Sequence, residues 1–514
     1  MLFVSFLLAM LPIVWLIVSL SKLKMPSHIA CGIAFAITAV LALVYWKMRP
    51  VDTATAAVEG GLNALWPICL VIVAALFTYN LTLKTGAMDL IKKMLAGISE
   101  DKRVLMLIIG WGFGNFMEGM AGFGTAVAIP ASMLAGMGID PIGAVVACLA
   151  VNTAPTAFGS VGVPTVVLSQ VTELDQQILA GNVSVIQCLL ILISPFLMVF
   201  ISGGGFKAFK GMIPTTVVAS LSFAIPWVII AHVQGPELPN IIGSVCSMLC
   251  IIISAKIFNK HTDPEYSIGV SASDKHLDAS TPELVKAWAP FILIFVLLTF
   301  TSTICKPVND LLKGIKGSFL IYSGEGGKPL GFSWVDTPGV KIFIAAILGG
   351  LIQGSKVGEI IEVLVSTFKK YWKTIVTICF VMSIAKIMTY SGMILDIAKL
   401  LVATTGPIYP FVSPLIGVLG AFVTGSGTST CVLFGGLQRA TADSLGLNPY
   451  WIAAANVMGA GIGKMICPQG LAIGAGAINA TGSESKILSA VFKYFVFYAL
   501  LAGVICLVGS VMKI

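Results

Sequence analysis

The stretch NTAPTAFGSVGVP, residues 152–164, decides the fold because it interrupts a long apolar run. It contains two prolines and two glycines, which disfavour a helix interior because proline removes a hydrogen bond and glycine is too flexible. The residues around it are nevertheless as apolar as a membrane helix. Irregular backbone at membrane depth is tolerated only where protein or a water-filled cavity surrounds it. The stretch therefore predicts a broken membrane span beside a cavity.

The composition of the whole chain is that of a membrane protein. Of its 514 residues, 57% are hydrophobic and only 11% are charged, against roughly 25% charged residues in a soluble domain. Apolar runs of about 20 residues, long enough to cross a bilayer, recur throughout the chain. We expect an all-α polytopic protein with about 12 spans, near 2–20, 27–46, 62–82, 141–171, 183–203, 211–232, 239–257, 286–305, 338–355, 372–391, 449–480 and 487–510.

The charged residues and cysteines point to no soluble partner and no metal. Most Lys and Arg behind the net charge of +8 lie in short loops, where they set orientation, so the charge does not predict nucleic-acid binding. The 11 cysteines are scattered through apolar segments without metal-binding spacing. No nucleophile and base pattern is present either. We therefore expect a membrane protein that is not an enzyme and uses no cofactor or metal ion.

Two further apolar stretches, 104–138 and 409–446, do not fit single spans. Each has two arms of about 15 residues around a glycine-rich middle, EGMAGFG (118–124) and TGSGTST (424–430). An arm of that length covers only ~22 Å at 1.5 Å per residue, less than a hydrocarbon core of ~30 Å. Both stretches are therefore predicted to be re-entrant helical hairpins, which enter and leave on the same side of the membrane.

The chain contains an internal repeat. KTGAMDLIKKML (84–95) aligns with YSGMILDIAKLL (390–401), and GIDP (138–141) aligns with GLNP (446–449). In the two predicted broken spans the spacing from Asn to Gly to Pro is identical, with Asn152, Gly159 and Pro164 matching Asn456, Gly463 and Pro468. The predicted domains are N-terminal scaffold helices (1–60), the first repeat with hairpin 104–138 and broken helix 141–171 (61–205), further scaffold helices and loops (206–355), and the second repeat with hairpin 409–446 and broken helix 449–480 (356–514).

Charge indicates that the repeats are inverted. The segment before the first hairpin holds Lys84, Lys92, Lys93, Lys102 and Arg103, whereas its counterpart at 392–408 holds only Lys399. By the positive-inside rule the first segment is cytoplasmic and the second is external. Counting spans from the basic loop at Lys22 and Lys24 gives the same result, with both termini outside; Lys47 and Arg49 do not follow the rule. Inverted repeats with interrupted helices are typical of secondary transporters whose site lies at the midplane.

Glu118 and Lys464 are the charged candidates for that site. Glu118 lies at the first hairpin tip without a basic neighbour in sequence, and a carboxylate in hydrocarbon must face a cavity, find a partner or take a proton. It is either a proton carrier, a gate or substrate contact, or a strut that caps tip amides. Lys464 is the only charge in its span and is the counterpart of Ser160. It either binds an anionic substrate, snorkels to the interface or pairs with Glu118.

Polar and glycine residues complete the predicted site. Asn152 and Asn456 have amide side chains suited to satisfying backbone groups that a broken helix frees, with substrate contact left open. Hydroxyls at the second hairpin tip, together with half-helix N-termini, favour an anion. The remaining candidates for substrate binding are Thr153, Thr424, Ser426, Thr428, Ser429, Gln469, Gly122, Gly124, Gly159 and Gly463, and Thr430 shares the hydroxyl pattern.

Four stretches of the chain carry a family resemblance. They are EGMAGFGTAVAIP (118–130), VNTAPTAFGSVGVP (151–164), VTGSGTST (423–430) and AANVMGAGIGKMICPQGLAIG (454–474), and they closely resemble the lactate permease family. The resemblance covers nearly the whole chain. It implies a proton-coupled symporter for L-lactate, D-lactate or glycolate in a bacterial inner membrane. It also implies an elevator-type mechanism, because the family resembles a larger group of anion transporters with inverted repeats and re-entrant hairpins.

One position departs from the family pattern. The second hairpin tip of the family usually reads Thr-Gly-Ser-Asp-Thr, and here Gly427 takes the Asp position. The missing acid leaves Glu118 as the main titratable candidate at the hairpin tips. We therefore expect proton-coupled uptake of a small 2-hydroxymonocarboxylate, with sodium-coupled transport of another organic anion as the alternative. The expected partners are the carboxylate, the proton and the lipid bilayer, with a homodimer as a further option.

Overall fold

The computed structural model describes residues 2–21, 23, 25–122, 124–259, 263–268, 280–301, 305–327, 329–480 and 483–512. Lys22 and Lys24, which entered the orientation argument, lie outside these residues, as does Phe123 of the first hairpin tip. The described chain is mostly α-helical, which confirms the predicted membrane-helix class. The first five helices are α1 (Leu2–Ser21), α2 (Ser27–Val44), α3 (Pro50–Asn63), α4 (Leu70–Lys84) and α5 (Ala87–Ala96), with a π-helical kink at Ala64–Cys69 between α3 and α4.

A helical hairpin follows where the glycine-rich EGMAGFG predicts a turn. Its elements are α6 (Lys102–Leu105), a π-helical stretch (Met106–Phe113), α7 (Gly114–Met120) and α8 (Thr125–Gly136). The tip is tight because Gly122 and Gly124 adopt left-handed backbone angles, with φ of 61° and 85°. The π-helical stretch is fully buried, so this arm is enclosed by protein rather than lipid.

The broken span comes next, as α9 (Pro141–Val151), a 3₁₀ turn (Pro155–Phe158) and α10 (Gly159–Thr172). Its two halves are bent by 65°. Pro155 ends α9 because proline has no N–H to donate to the carbonyl of Val151 and its ring collides with that carbonyl in a continued helix. Inside α10 a second irregularity occurs at Ser160, Val161 and Gly162, which are left-handed with φ of 45°, 56° and 80°. A β-branched residue such as Val161 rarely adopts this conformation, so the break is strained.

The middle of the chain consists of long helices joined by loops. These are α11 (Gln176–Ser202), α12 (Ile213–Gln234), α13 (Pro239–Phe258), α14 (Thr281–Phe300), α15 (Lys306–Lys313) and α16 (Pro338–Ile352), with short 3₁₀ turns at Phe206–Phe209 and Pro264–Tyr266. The all-α prediction missed one small element in the loop before α16. There β1 (Lys316–Phe319) pairs antiparallel with β2 (Leu330–Ser333), with Lys316 opposite Ser333.

The last third repeats the order of elements seen at the start. It contains α17 (Val357–Ser391), α18 (Met393–Thr405), a 3₁₀ turn (Gly406–Ile408), the hairpin α19 (Tyr409–Thr424) and α20 (Gly427–Leu445), the broken span α21 (Pro449–Lys464) and α22 (Pro468–Ala477), and α23 (Glu484–Val511). Aligned glycines share a conformation. Gly86 and Gly392 are left-handed with φ of 74° and 87°, and Gly138 and Gly446 with φ of 83° and 66°. This agrees with an internal repeat, whose inversion across the membrane remains a prediction.

The two breaks differ more than their aligned spacing suggests. Asn152 caps the end of α9, whereas Asn456 lies inside α21, which continues as a regular helix to Lys464. Pro155 of the first repeat aligns with Gly459 of the second, and without the proline the helix does not stop there. The second break is confined to residues 465–467 before Pro468 opens α22.

Eight helices of the described residues are long and apolar enough to cross a bilayer, or nine if the bent pair α9 and α10 counts as one span. Several predicted spans are shorter than expected, among them α16. The chain is therefore a multi-pass membrane protein, and the number of 12 spans stays a prediction.

Loop contacts define two ends of the molecule, separated by the ~40 Å length of the 27-residue helix α11. Beyond the C-terminus of α11, Arg103 pairs with Asp101 at 2.7 Å and donates hydrogen bonds to the carbonyl oxygens of Ala208 and Lys210. We call this end the Arg103 face. At its N-terminus, Gln176 donates a hydrogen bond of 3.0 Å to Glu237 in the loop before α13, and we call this end the Glu237 face.

The end of α2 lies on the Glu237 face. Trp46, just beyond α2, donates a hydrogen bond to the carboxylate of Asp396, which lies shortly after the end of α17. At that end of α17, Tyr390 stacks at 3.7 Å on Tyr322, which belongs to the loop between β1 and β2. The strand β2 lies beside Glu237, because Ser333 and Glu237 line one cavity. Because α2 is ~27 Å long, its beginning at His28 points toward the Arg103 face.

Candidate functional site

A cavity of about 340 Å³ lies where the two hairpin tips meet the two broken spans. The first repeat contributes Glu118, Gly122, Gly124, Asn152, Thr156, Gly159, Ser160 and Pro164 to its lining, and the second contributes Thr424, Gly425, Ser426, Gly427, Thr428, Ser429, Lys464 and Gln469. On one side, α2 and α17 complete the wall with His28, Lys373, Thr374 and Thr377. Lys373 is exposed, and His28 lies at the beginning of α2, the end of that helix that points toward the Arg103 face.

Glu118 and Lys464 form an ion pair inside this cavity. The Lys464 ammonium donates a hydrogen bond of 2.9 Å to Oε1 of Glu118. The Glu118 side chain is 3% exposed and that of Lys464 is 19% exposed, so both charges are largely removed from water. The second carboxylate oxygen of Glu118, Oε2, has no hydrogen-bond partner among the described residues. Removing Lys464 would leave the Glu118 charge buried without a compensating cation, which is strongly destabilising.

The first break supplies two more contacts to the Lys464 ammonium. Lys464 donates to Oγ1 of Thr156 at 3.1 Å and, more distantly, to Oδ1 of Asn152 at 3.5 Å. Thr156 in turn donates to the main-chain carbonyl of Asn152 at 2.7 Å, which the end of α9 leaves without a helical partner. The ammonium therefore uses its three protons on oxygens of the first repeat, although it belongs to the second.

Each hairpin tip rests on the break of its own repeat. Ser160 donates a hydrogen bond of 2.9 Å to the carbonyl of Ala121 at the first tip, and a side chain at Gly122 would collide with the Ser160 hydroxyl. At the second tip, a side chain at Gly425 would collide with Gln469. Gly159 is needed for a related reason, since a Cβ atom there would lie 2.6 Å from Oε1 of Glu118. The glycines thus allow polar groups and tips to meet at the cavity.

The second hairpin presents hydroxyl groups and a helix N-terminus to the cavity. Ser426 caps α20 by accepting a hydrogen bond of 3.2 Å from the amide of Ser429. Thr424 bonds back to the carbonyl of Gly420, while Thr428 and Ser429 also line the cavity. The partial positive charge at the start of α20 favours an anion at this position. Gly427 lies opposite Thr156, so the two repeats are close together here.

Four of the predicted polar and glycine residues lie outside the cavity lining. Thr153 is buried and bonds the carbonyl of Ala150, and Thr430 is buried and bonds the carbonyl of Ser426. Asn456 is fully buried in α21, where its Oδ1 accepts a hydrogen bond of 3.3 Å from Gln438. Gly463 packs directly against the carbonyl of Val418. These residues support the packing of helices around the site.

Sequence reasoning missed Thr156, His28, Lys373 and Thr377. Thr156 was detectable, because it lies inside the broken stretch one helical turn after Asn152. The other residues come from α2 and α17, which carry no irregular motif and reach the cavity only through tertiary packing. Among the described residues, no group of three or more His, Cys, Asp or Glu side chains is placed to hold a metal ion.

The sequence profile of the family described as L-lactate permease matches residues 5–512 of the chain. The chain belongs to the L-lactate permease family. The L-lactate permease of Streptococcus iniae is 43% identical over 447 residues, covering 87% of this chain and 93% of that protein. The glycolate permease GlcA of Escherichia coli K12 is 34% identical over 540 residues, covering 98% of this chain and 96% of that protein. Permeases are transporters, and the chain is therefore a transporter rather than an enzyme.

A solved structure shares the fold of this permease-family chain. The Neisseria gonorrhoeae MtrF structure aligns with a TM-score of 0.52 and 14% sequence identity, covering 94% of this chain and 95% of that one. MtrF is described as representing a class of antimetabolite efflux pumps. At this identity the likeness concerns the architecture alone.

Proposed function

We propose that the chain is a symporter that carries lactate or glycolate into the cell together with a proton. The observation behind this proposal is the Glu118–Lys464 pair, an acid and a base that neutralise each other in a cavity between the two repeats. Family membership supports the substrate class, because the relatives are named for L-lactate and glycolate. The pair supplies the reason why an anion and a proton would move together.

Competition for Lys464 would couple the two solutes. A substrate carboxylate needs a cation in this low-dielectric site, and Lys464 is the cation whose ammonium is buried there. While Glu118 is charged, a second carboxylate beside Lys464 would leave a net negative charge in the cavity. Protonation of Glu118 removes this charge and releases the ammonium for the substrate. Proton and anion then bind cooperatively, each raising the affinity of the other by the same factor.

The remaining groups suit a small 2-hydroxy acid. Thr156 and Asn152 already share the Lys464 ammonium and are positioned to bond a carboxylate or hydroxyl beside it. Across the cavity, Ser426, Thr428 and the N-terminus of α20 offer further donors. A cavity of about 340 Å³ has room for a molecule of lactate size with a few waters, and not for a large substrate.

The transport cycle is proposed to follow the elevator scheme. Both hairpins would be re-entrant, the repeats would be inverted, and both termini would lie outside a bacterial inner membrane. With that orientation the Arg103 face is cytoplasmic, and a cavity mouth beside the exposed Lys373 would open inward. The hairpins and broken spans would move as one body against scaffold helices such as α2 and α17, which complete the cavity wall.

Counterflow in proteoliposomes tests the substrate class. Purified protein is reconstituted with unlabelled L-lactate inside, and entry of labelled L-lactate is measured against D-lactate, glycolate, acetate and succinate as competitors. We expect competition from the 2-hydroxy acids and little from acetate or succinate. Strong competition by succinate alone would exclude the proposed substrate class.

The coupling ion is tested separately in the same vesicles. A pH gradient with the acid side outside the vesicles is compared with an inward sodium gradient as the driving force for lactate accumulation. Accumulation that follows the pH gradient in sodium-free buffer supports proton coupling. Accumulation that requires sodium would establish the alternative carrier suggested by Gly427 at the usual Asp position.

A further inference from the structure

A second cavity, of about 250 Å³, lies at the Glu237 face. It is separate from the substrate cavity and is bounded by α4, α10, α11, the loop before α13 and the segment after β2. Its polar lining consists of Trp66, Gln170, Gln176, Glu237, Ser333, Asp336 and Thr337. Nothing in the proposed transport cycle described above uses these residues.

The strained backbone of the first break forms the wall between the two cavities. Ser160 and Pro164 line the substrate cavity, whereas Val161 and Val163 line the second cavity. Residues on successive positions of one short segment thus face opposite compartments. The left-handed segment that includes Val161 is strained, and such strain is concentrated at switch regions and ligand sites.

The chain segments that carry Glu237 and Glu118 both pack against this wall. Glu237 follows Pro236, whose backbone packs so closely on Gly162 that a Cβ atom at Gly162 would lie 2.5 Å from the Pro236 oxygen. Three residues earlier in the chain, Gly159 packs against the Glu118 carboxylate. The two acids therefore lie on either side of a wall that is only a few residues thick.

Glu237 is in an environment that holds a proton near neutral pH. Burial raises the pKa of its carboxyl group to about 7, while the hydrogen bond from Gln176 and the charge of Lys341 act in the opposite direction. The charged groups that act on it are Lys341 of α16 and Asp336, which pair with each other at 2.7 Å and so largely cancel. Among the described residues, the cation that acts on Glu237 is therefore already paired with Asp336.

Thr337 gives a second, independent sign of a polar site. Its side chain is only 3% exposed, it lines the second cavity, and its hydroxyl oxygen has no hydrogen-bond partner among the described residues. A buried hydroxyl without a partner costs free energy unless water or an ion reaches it. The second cavity is therefore suited to holding water beside Glu237.

We propose that Glu237 takes up protons at the Glu237 face and passes them, through water at the Ser160–Gly162 wall, to Glu118. This inference rests on the proposed proton symport and names the side from which the proton enters. A hydronium ion gives its proton to the Glu237 carboxylate, water relays it to Glu118, and Glu237 returns to its charged form. No electrons are transferred and no covalent intermediate is formed. Glu237 acts through Glu118 and does not contact the substrate.

Glu237→Gln tests this proposal, because glutamine keeps the shape and the polar contact to Gln176 but cannot carry a proton. Lactate uptake into proteoliposomes is measured while the pH is varied on one side of the membrane at a time. In the unmodified protein we expect uptake to change with a midpoint near pH 7 when the Glu237 face is titrated. In Glu237→Gln we expect that midpoint to vanish and proton-driven uptake to fall roughly 100-fold. Counterflow at equal pH should keep its rate, which also shows that the variant is folded.

Two further variants make the result specific. Glu237→Asp restores a carboxylate and should recover a pH midpoint, which a purely structural role would not require. Glu325→Gln changes an exposed glutamate in the loop between β1 and β2 and should leave the pH profile unchanged. An unaltered pH profile in Glu237→Gln would overturn the proposal. Absence of any proton-driven uptake in the unmodified protein would instead overturn the proton symport itself, so the two failures are distinguishable.

Discussion

The Lys464 ammonium lies 2.9 Å from the Glu118 carboxylate, although 346 positions separate the two residues in the chain. The contact joins the tip of the first hairpin to the second broken span, so it depends on both repeats being in place. It also means that the cation expected to attract a substrate anion is already neutralised. A ligand carboxylate must displace Glu118 or arrive with a proton, and this requirement underlies the first two predictions.

Glu118→Gln should uncouple proton movement from lactate transport. Glutamine removes the competing charge, so lactate binding no longer requires a proton. We expect pH-driven accumulation to be lost while exchange of lactate for lactate continues. Proton uptake on lactate binding, measured by titration calorimetry in buffers of different ionisation enthalpy, should fall from about one proton toward zero.

Glu59→Gln is the matched control for Glu118→Gln. Glu59 is 2% exposed and pairs with Lys386 at 2.7 Å, but it lies outside the cavity lining. The control should retain proton uptake on lactate binding. Full pH-driven accumulation in Glu118→Gln would contradict the role assigned to Glu118.

Lys464→Met should weaken lactate binding by roughly 10- to 100-fold, since a hydrogen bond to a charged group contributes about 1.5–3 kcal/mol. The single variant also leaves Glu118 buried without its cation, so we expect a lower melting temperature. The double variant Lys464→Met/Glu118→Gln should regain stability without regaining affinity. Unchanged lactate affinity in either protein, measured by calorimetry, would show that Lys464 does not contact the carboxylate.

Gly162→Ala should destabilise the protein more than Gly138→Ala. Both glycines are left-handed, with φ of 80° and 83°, so each alanine incurs a similar backbone cost of about 1–2 kcal/mol. At Gly138 no atom lies within 4 Å of the added methyl group, whereas at Gly162 it meets the backbone of Pro236. We expect the collision to add ~1–3 kcal/mol, measured as a difference in thermal unfolding. Equal melting temperatures would show that the wall segment is looser than its contacts indicate.

Lys386→Met should lower stability without changing lactate affinity. Lys386 is the cation beside buried Glu59, which also accepts a hydrogen bond of 2.9 Å from Tyr390, and the second oxygen of Glu59 has no partner among the described residues. Removing one member of a buried pair costs about 3–5 kcal/mol. The double variant Lys386→Met/Glu59→Gln should recover most of the loss. A change in lactate affinity in the single variant would place this pair in the transport site after all.

Much of the fold was predictable because its signals are local. The glycines of EGMAGFG and TGSGTST predicted two helical hairpins, and the prolines and glycines of NTAPTAFGSVGVP predicted the break that follows α9. In the second repeat, the alignment with residues 152–164 predicted a longer break than the one at residues 465–467. Asn456 and Gly463 align with Asn152 and Gly159, but no proline interrupts α21 before Pro468, so these residues remain helical. The strands β1 and β2 were missed because they lie in a polar loop without a clear alternating pattern.

The sequence by itself determined the class of the protein, the hairpin tips, the breaks and the family, because hydrophobic runs, glycines and prolines act on the nearest turns of chain. Only the tertiary structure decided which charges neutralise each other. Lys464 pairs with Glu118 rather than with water, Thr156 joins them while Asn456 does not, and Val161 faces a second cavity with Glu237. These relationships arise from the packing of distant segments, and their energies depend on burial that no single segment provides.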